Sequence, residues 1–145
     1  MRKAIKYSSV QLKITFSKEN GADKVTIVQT TTGGVENTEE RWLDSVEREK
    51  KDSVFGKVKG TGRWCNISEI SDEYLKDFDK KSVEDANGEV INTYTESIGL
   101  SGQQWTADQV WGFEIINGER RHTRRIIVKR GDKILKVRTV YDWKA

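Results

Sequence analysis

The sequence predicts an all-β chain: a single up-and-down antiparallel β-barrel of about eight to nine strands with one short helix. Three observations predict it. Apolar residues alternate with polar ones over short stretches instead of recurring at helical spacing. Turn-forming pairs (Gly33-Gly34, Asn87-Gly88, Asn117-Gly118 and Gly131-Asp132) punctuate those stretches at close intervals. Proline is absent from all 145 residues, which suits long ladders of hydrogen bonds. Sequentially joined strands favour closure into a barrel over a Greek-key sandwich, because closure removes exposed sheet edges.

Taken in order, Val10, Leu12, Ile14 and Phe16 alternate with polar residues and mark a half-buried first strand. A polar turn over residues 18–23 leads to a second strand, 24–31, with Val25 and Ile27 facing one way. Gly33-Gly34 turns the chain into a third strand, 35–43, which puts Thr38, Glu40 and Trp42 on one face. The highly charged stretch 44–52 reads as a loop or helical turn. Strand character returns over 54–66, where Gly56, Gly60 and Gly62 mark bulges or close backbone contacts. Ser71-Asp72-Glu73 ahead of Tyr74, Leu75 and Phe78 predicts a short capped helix. A strand over 89–98 then puts Tyr94, Glu96 and Ile98 on one face, and residues 99–104 form a loop.

The register of the last third can be read from its turns. Asn-Gly suits the two positive-φ positions of a type I′ hairpin. With Asn117-Gly118 as the loop, Ile116 opposes Glu119, Ile115 opposes Arg120, Phe113 opposes His122 and Trp111 opposes Arg124. With Gly131-Asp132 as the next loop, Val128 opposes Leu135, Ile126 opposes Val137, Arg124 opposes Thr139, His122 opposes Tyr141 and Arg120 opposes Trp143. Opposed residues share a face. One face therefore gathers Trp111, Phe113 and Tyr141 with the only histidine, His122, and with Arg120 and Arg124. A mostly apolar face with a few convergent polar groups is what a ligand cavity requires.

Composition excludes several classes. Charged residues make up 34% of the chain but nearly balance, leaving a formal net charge of +3. Alternation sends Arg120-Arg121 and Arg124-Arg125 to opposite faces, diluting any basic patch, so nucleic acid is not the expected partner. No apolar run reaches membrane-span length and no apolar leader precedes the strands; one domain over residues 1–145 is expected. The single Cys65 fits a reducing, cytoplasmic compartment. One histidine and one cysteine argue against a zinc site, and neither a metal nor a cofactor is expected. Residues 56–62 lack the order of a phosphate loop. The oligomeric state is not encoded in any motif.

The meander, the brief helix and the Gly62-Arg63-Trp64 triplet together resemble a small lipocalin-like (calycin-type) β-barrel. The segment from Trp105 to Trp143, with its Asn-Gly-Glu-Arg-Arg turn and Val140-Tyr141-Asp142-Trp143 end, is similar to small uncharacterised fungal lipocalin-like proteins. The resemblance implies binding of a hydrophobic small molecule and occasionally chemistry on it. It assigns no catalytic residue.

The residues supply the candidates. Trp64, Trp111, Phe113 and Tyr141 would give contact area to a small apolar ligand. Arg120, His122 and Arg124 would orient its acidic or carbonyl-bearing end. Glu96 and Glu40 are the acids expected near those arginines. Binding in the cavity is the leading expectation; the alternative is a cofactor-free isomerase, cyclase or lyase in the same cavity. In that alternative His122 or Tyr141 exchanges a proton and Arg124 stabilises an oxyanion. A side-chain-filled barrel serving protein interaction is a third possibility.

Overall fold

Tight turns at positive φ set the architecture. Asn20-Gly21, Asn87-Gly88 and Asn117-Gly118 all hold both residues in the left-handed region, where asparagine and glycine carry the least penalty. The computed structural model describes residues 10–52, 56–99 and 104–142. Among these, the strands are β1 (Val10–Glu19), β2 (Ala22–Thr31), β3 (Glu36–Trp42), β4 (Arg48–Asp52), β5 (Gly56–Asn66), β6 (Glu89–Ser97), β7 (Trp105–Ile116), β8 (Glu119–Arg130) and β9 (Lys133–Tyr141). A 3-10 turn, Ile67–Glu69, and helix α1, Lys80–Asp85, lie between β5 and β6. The all-β, sequentially antiparallel order matches the expectation. Its hydrogen bonds run in two sheets, β1-β2-β3 and β4-β5-β6-β7-β8-β9. The chain divides correspondingly into two compact units, Met1–Asp44 and Ser45–Ala145.

In the first unit the hairpin of β1 and β2 closes with Glu19 opposite Ala22. Val25 and Ile27 face one way, as their spacing requires, and both are buried. Glu40 is paired within the first unit. Its carboxylate lies 3.0 Å from the Lys24 ammonium, which also meets Glu19 and sits 4.9 Å over the Trp42 ring.

In the second unit β7, β8 and β9 keep the register that their turns dictate. Trp111 opposes Arg124, Phe113 opposes His122, and His122 opposes Tyr141. Trp143 lies outside the described residues.

Two element assignments need correcting. Residues 48–52 form an edge strand, not a loop, pairing Arg48 with Gly60 and Lys50 with Val58. A solvated edge needs no apolar alternation, and surface ion pairs such as Lys57 with Glu49 at 3.4 Å run along it. The helix expected over 71–78 is a single turn: the Asp72 carboxylate accepts from the backbone N–H of Tyr74 and of Leu75, and the chain then bends. The helix starts afresh at Asp79, whose side chain caps it through the backbone N–H and hydroxyl of Ser82.

The connecting segment buries its apolar residues against one face of the second sheet. Ile70, Leu75 and Phe78 pack with Cys65, Val90, Val110 and Ile127. Each such side chain contributes roughly 1.5–3 kcal/mol on burial. Gly112 makes room for this packing, because a Cβ there would lie 3.0 Å from the Phe78 ring.

Candidate functional site

The candidate site lies on the other face of that sheet. Trp64 opposes Ile91, Ile91 opposes Trp111, Trp111 opposes Arg124, and Arg124 opposes Thr139. Opposed residues share a face, so one row across five strands carries Trp64, Trp111 and Arg124. The neighbouring row carries Phe113, His122 and Tyr141, and the row at the hairpin tip carries Ile115 and Arg120.

Exposure rises along the hairpin. Trp111 is 4% exposed and Arg124 9%, whereas Phe113 reaches 40%. Trp64 is also 40% exposed, at the far end of its row. The site is thus graded from a buried floor to an open tip.

Arg124 is the centre of this arrangement. Its guanidinium carbon lies 4.0 Å from the centroid of the Trp111 ring and 5.4 Å from that of Tyr141. Each cation–aromatic contact is worth about 0.5–2 kcal/mol, with the larger values where water is scarce. The Nε–H donates to His122 Nε2 at 3.3 Å. Accepting at Nε2 leaves the ring proton of neutral His122 on Nδ1. Burial, and then the charge of Arg124, push the His122 pKa from 6.5 down to about 4, and a hydrogen bond to the Gly112 backbone opposes them. His122 is therefore neutral at physiological pH and acts as an acceptor for a cation. Its ring packs edgewise on Phe113 at 5.8 Å and beside Tyr141 at 5.5 Å. Arg120 stacks 3.9 Å over the exposed Phe113 ring.

Glu96 does not join them. The pairing of Ile91 with Trp111 puts the odd-numbered residues of β6 on the aromatic face, and Glu96 falls on the other. There it meets the Lys59 ammonium at 2.9 Å. A long segment separates β5 from β6, so no two-residue turn specified which residues would face which way.

Two features escaped the sequence reading. Gln109 sits two residues before Trp111 on the same face, and its Oε1 accepts from the Trp111 indole at 3.1 Å. Its position was already implied by the hairpin register. On the opposite face Glu114 and Arg125, 6% and 7% exposed, form an ion pair at 2.8 Å. Arg125 opposes Val110 and Glu114 opposes Arg121, so the guanidinium reaches across the intervening pair of Gly112 and Thr123. Nothing in the local spacing signals that reach. Elsewhere, a depression of about 480 Å³ is lined by Glu49, Lys50, Lys51 and Lys57. These are solvated charges on the edge hairpin, without an aromatic wall.

No helix among the described residues is long and apolar enough to cross a membrane. No group of three or more metal-ligating side chains occurs among them. No family model and no solved structure matches the chain. The chain is similar to two fungal pericyclases. It is 38% identical over 107 residues to a protein of Mollisia scopiformis described as a probable pericyclase, scpY, a match covering 72% of this chain and 53% of that protein. It is 29% identical over 148 aligned positions to the pericyclase pydY of an Acremonium species, covering 99% of this chain and 76% of that protein. The chain thus spans about half the length of the first of these relatives.

Proposed function

We propose that this chain is a cofactor-free cyclase of the pericyclic kind, acting on a small, largely apolar molecule with a conjugated carbonyl or acidic end. The observation that carries the reading is Arg124, a cation 4.0 Å from the Trp111 ring and 5.4 Å from the Tyr141 ring and tied through Nε to a neutral histidine. The names of the two fungal relatives support catalysis over binding alone.

Pericyclic ring closure needs no base. Bonding electrons move round a closed loop: new σ bonds form as π bonds are consumed, and no proton or leaving group departs. The protein must fold the chain of its substrate so that the reacting ends meet, and must stabilise charge drawn towards a conjugated oxygen. Trp111, Phe113 and Tyr141 supply the surface for the first task, with Trp64 extending it. Arg124 supplies the second, as a permanent cation, held through Nε by His122, whose charge would stabilise a conjugated oxygen. Arg120, stacked on Phe113 at the open end, would meet a second polar group of the substrate.

His122 then serves as the neutral acceptor that orients Arg124. A pKa of about 4 makes it a weak base, which removes the reason to give it the proton-transfer role. Single-domain organisation and a lipocalin-like kinship remain part of the proposal.

The test is a panel of linear polyenes, each with a terminal enone or carboxylate, whose ring closure is followed by chromatography with and without protein. The wild type is expected to accelerate closure of at least one member. Arg124→Met should lower kcat at least tenfold, about 1.4 kcal/mol of transition-state stabilisation. Saturable binding without any acceleration across the panel would select the binding reading instead.

A further inference from the structure

The floor of the site is held by a residue that makes no contact with the proposed reacting groups. Gln109 lies on β7 with its side chain on the aromatic face, and its Oε1 accepts from the Trp111 indole N–H at 3.1 Å. Trp111 in turn lies 4.0 Å beneath the Arg124 guanidinium. An indole is a donor only, and a buried one left without an acceptor is destabilised, so this acceptor fixes the tilt of the ring.

The backbone of Gln109 is itself clamped from the other face of the sheet. The Asn92 side-chain amide donates to the Gln109 carbonyl at 2.9 Å and to the Asp108 carboxylate at 2.8 Å. The Asn92 oxygen accepts from Arg63 Nε at 3.2 Å. Donors and acceptor of that amide are all engaged, which anchors the origin of the Gln109 side chain.

We infer that Gln109 is a positioning residue for Arg124, acting through the Trp111 indole that carries the guanidinium. The chain of contacts is Asn92 to the Gln109 backbone, Gln109 to Trp111, and Trp111 to Arg124. Turning the indole by rotation about its side-chain bonds would move the ring face from under the guanidinium. This inference rests on the proposed role of Arg124, but its spectroscopic arm does not.

The experiment compares Gln109→Met, similar in length but without the strong acceptor, with Gln109→Glu, which keeps one. Nitrogen-15 NMR follows the Trp111 indole N–H, assigned by its loss in Trp111→Phe, and the Arg124 Nε–H. In Gln109→Met both resonances should shift, with the indole proton moving upfield, while thermal unfolding stays cooperative. In Gln109→Glu the indole proton should remain downfield. With the polyene that the wild type closes fastest, Gln109→Met should lower kcat about five- to tenfold with KM changed less than twofold. Gln109→Glu should restore kcat to within about threefold of wild type.

An unmoved indole resonance in Gln109→Met would overturn the contact. A moved indole with an unmoved Arg124 resonance and an unchanged kcat would overturn the positioning role. Failure of the wild type to close any polyene would sink the proposed function, while the two resonances would still decide whether Gln109 orients Arg124.

Discussion

Arg124 donates its Nε–H to His122 Nε2 across 3.3 Å, so the only histidine in the chain is an acceptor for the cation beside it. Two residues apart on one strand, they share a face by alternation alone. That relationship fixes how the site responds to acid.

His122 should titrate near 4 when the carbon-bound ring protons are followed by NMR, against 6.5 for a free histidine. The folded pKa is depressed, so the unfolded chain binds the proton more tightly. Stability from this group is complete above pH 6.5 and falls as pH drops towards 4. The loss is at most on the order of 3–4 kcal/mol, the shift taken at about 1.4 kcal/mol per unit. Urea unfolding at pH 7 and pH 5 should show a smaller pH effect in His122→Asn than in wild type. Equal pH dependence in the two proteins would refute the depressed value.

The buried pair of Glu114 and Arg125 is expected to matter far more to stability than any surface ion pair. Glu114→Ala should cost about 3–5 kcal/mol, because it leaves a guanidinium buried without its carboxylate. The double variant Glu114→Leu, Arg125→Met should recover much of that loss. Denaturant midpoints of the three variants read it directly. A Glu114→Ala variant within 1 kcal/mol of wild type, on the order of a surface pair, would show that the pair is solvated.

Gly112→Ala tests the fit of the connecting segment against the sheet. The added methyl meets the Phe78 ring at 3.0 Å, so the ring has to shift. A cost of about 1–3 kcal/mol is expected, and Phe78→Leu in the same background should return part of it. No coupling between the two substitutions in a double-mutant cycle would contradict the contact.

Glu96→Gln should leave ring closure unchanged, since Glu96 lies on the face away from Arg124 and pairs with Lys59. Stability should move by no more than about 0.5 kcal/mol, as is usual for a partly exposed pair. A tenfold fall in kcat would restore Glu96 to the site.

The sequence yields these placements unevenly, and turn length explains why. Asn117-Gly118 is a two-residue loop at positive φ, which leaves β7 and β8 one register and carries Trp111, Phe113, His122 and Arg124 to one face. The connection before Glu96 holds a 3-10 turn and a helix, so neither facing direction is excluded by chain geometry. The edge strand β4 is charged at every position, and hydrophobic alternation is silent there. Arg125 reaches Glu114 by passing over a glycine and a threonine, a contact set by side-chain length and not by register. Gln109 needed only one more step of the period-two count from Trp111.

The rise in exposure from Trp111 to Phe113 and Ile115 divides the hairpin into two zones of different tolerance to substitution. Substitutions at the buried floor disturb packing and the cation together. At the open tip the same exchanges cost less stability, so Phe113, Ile115 and Arg120 are the positions at which the fit to a different molecule can be altered. A directed library confined to those three positions would search substrate breadth while leaving the Arg124 cradle intact.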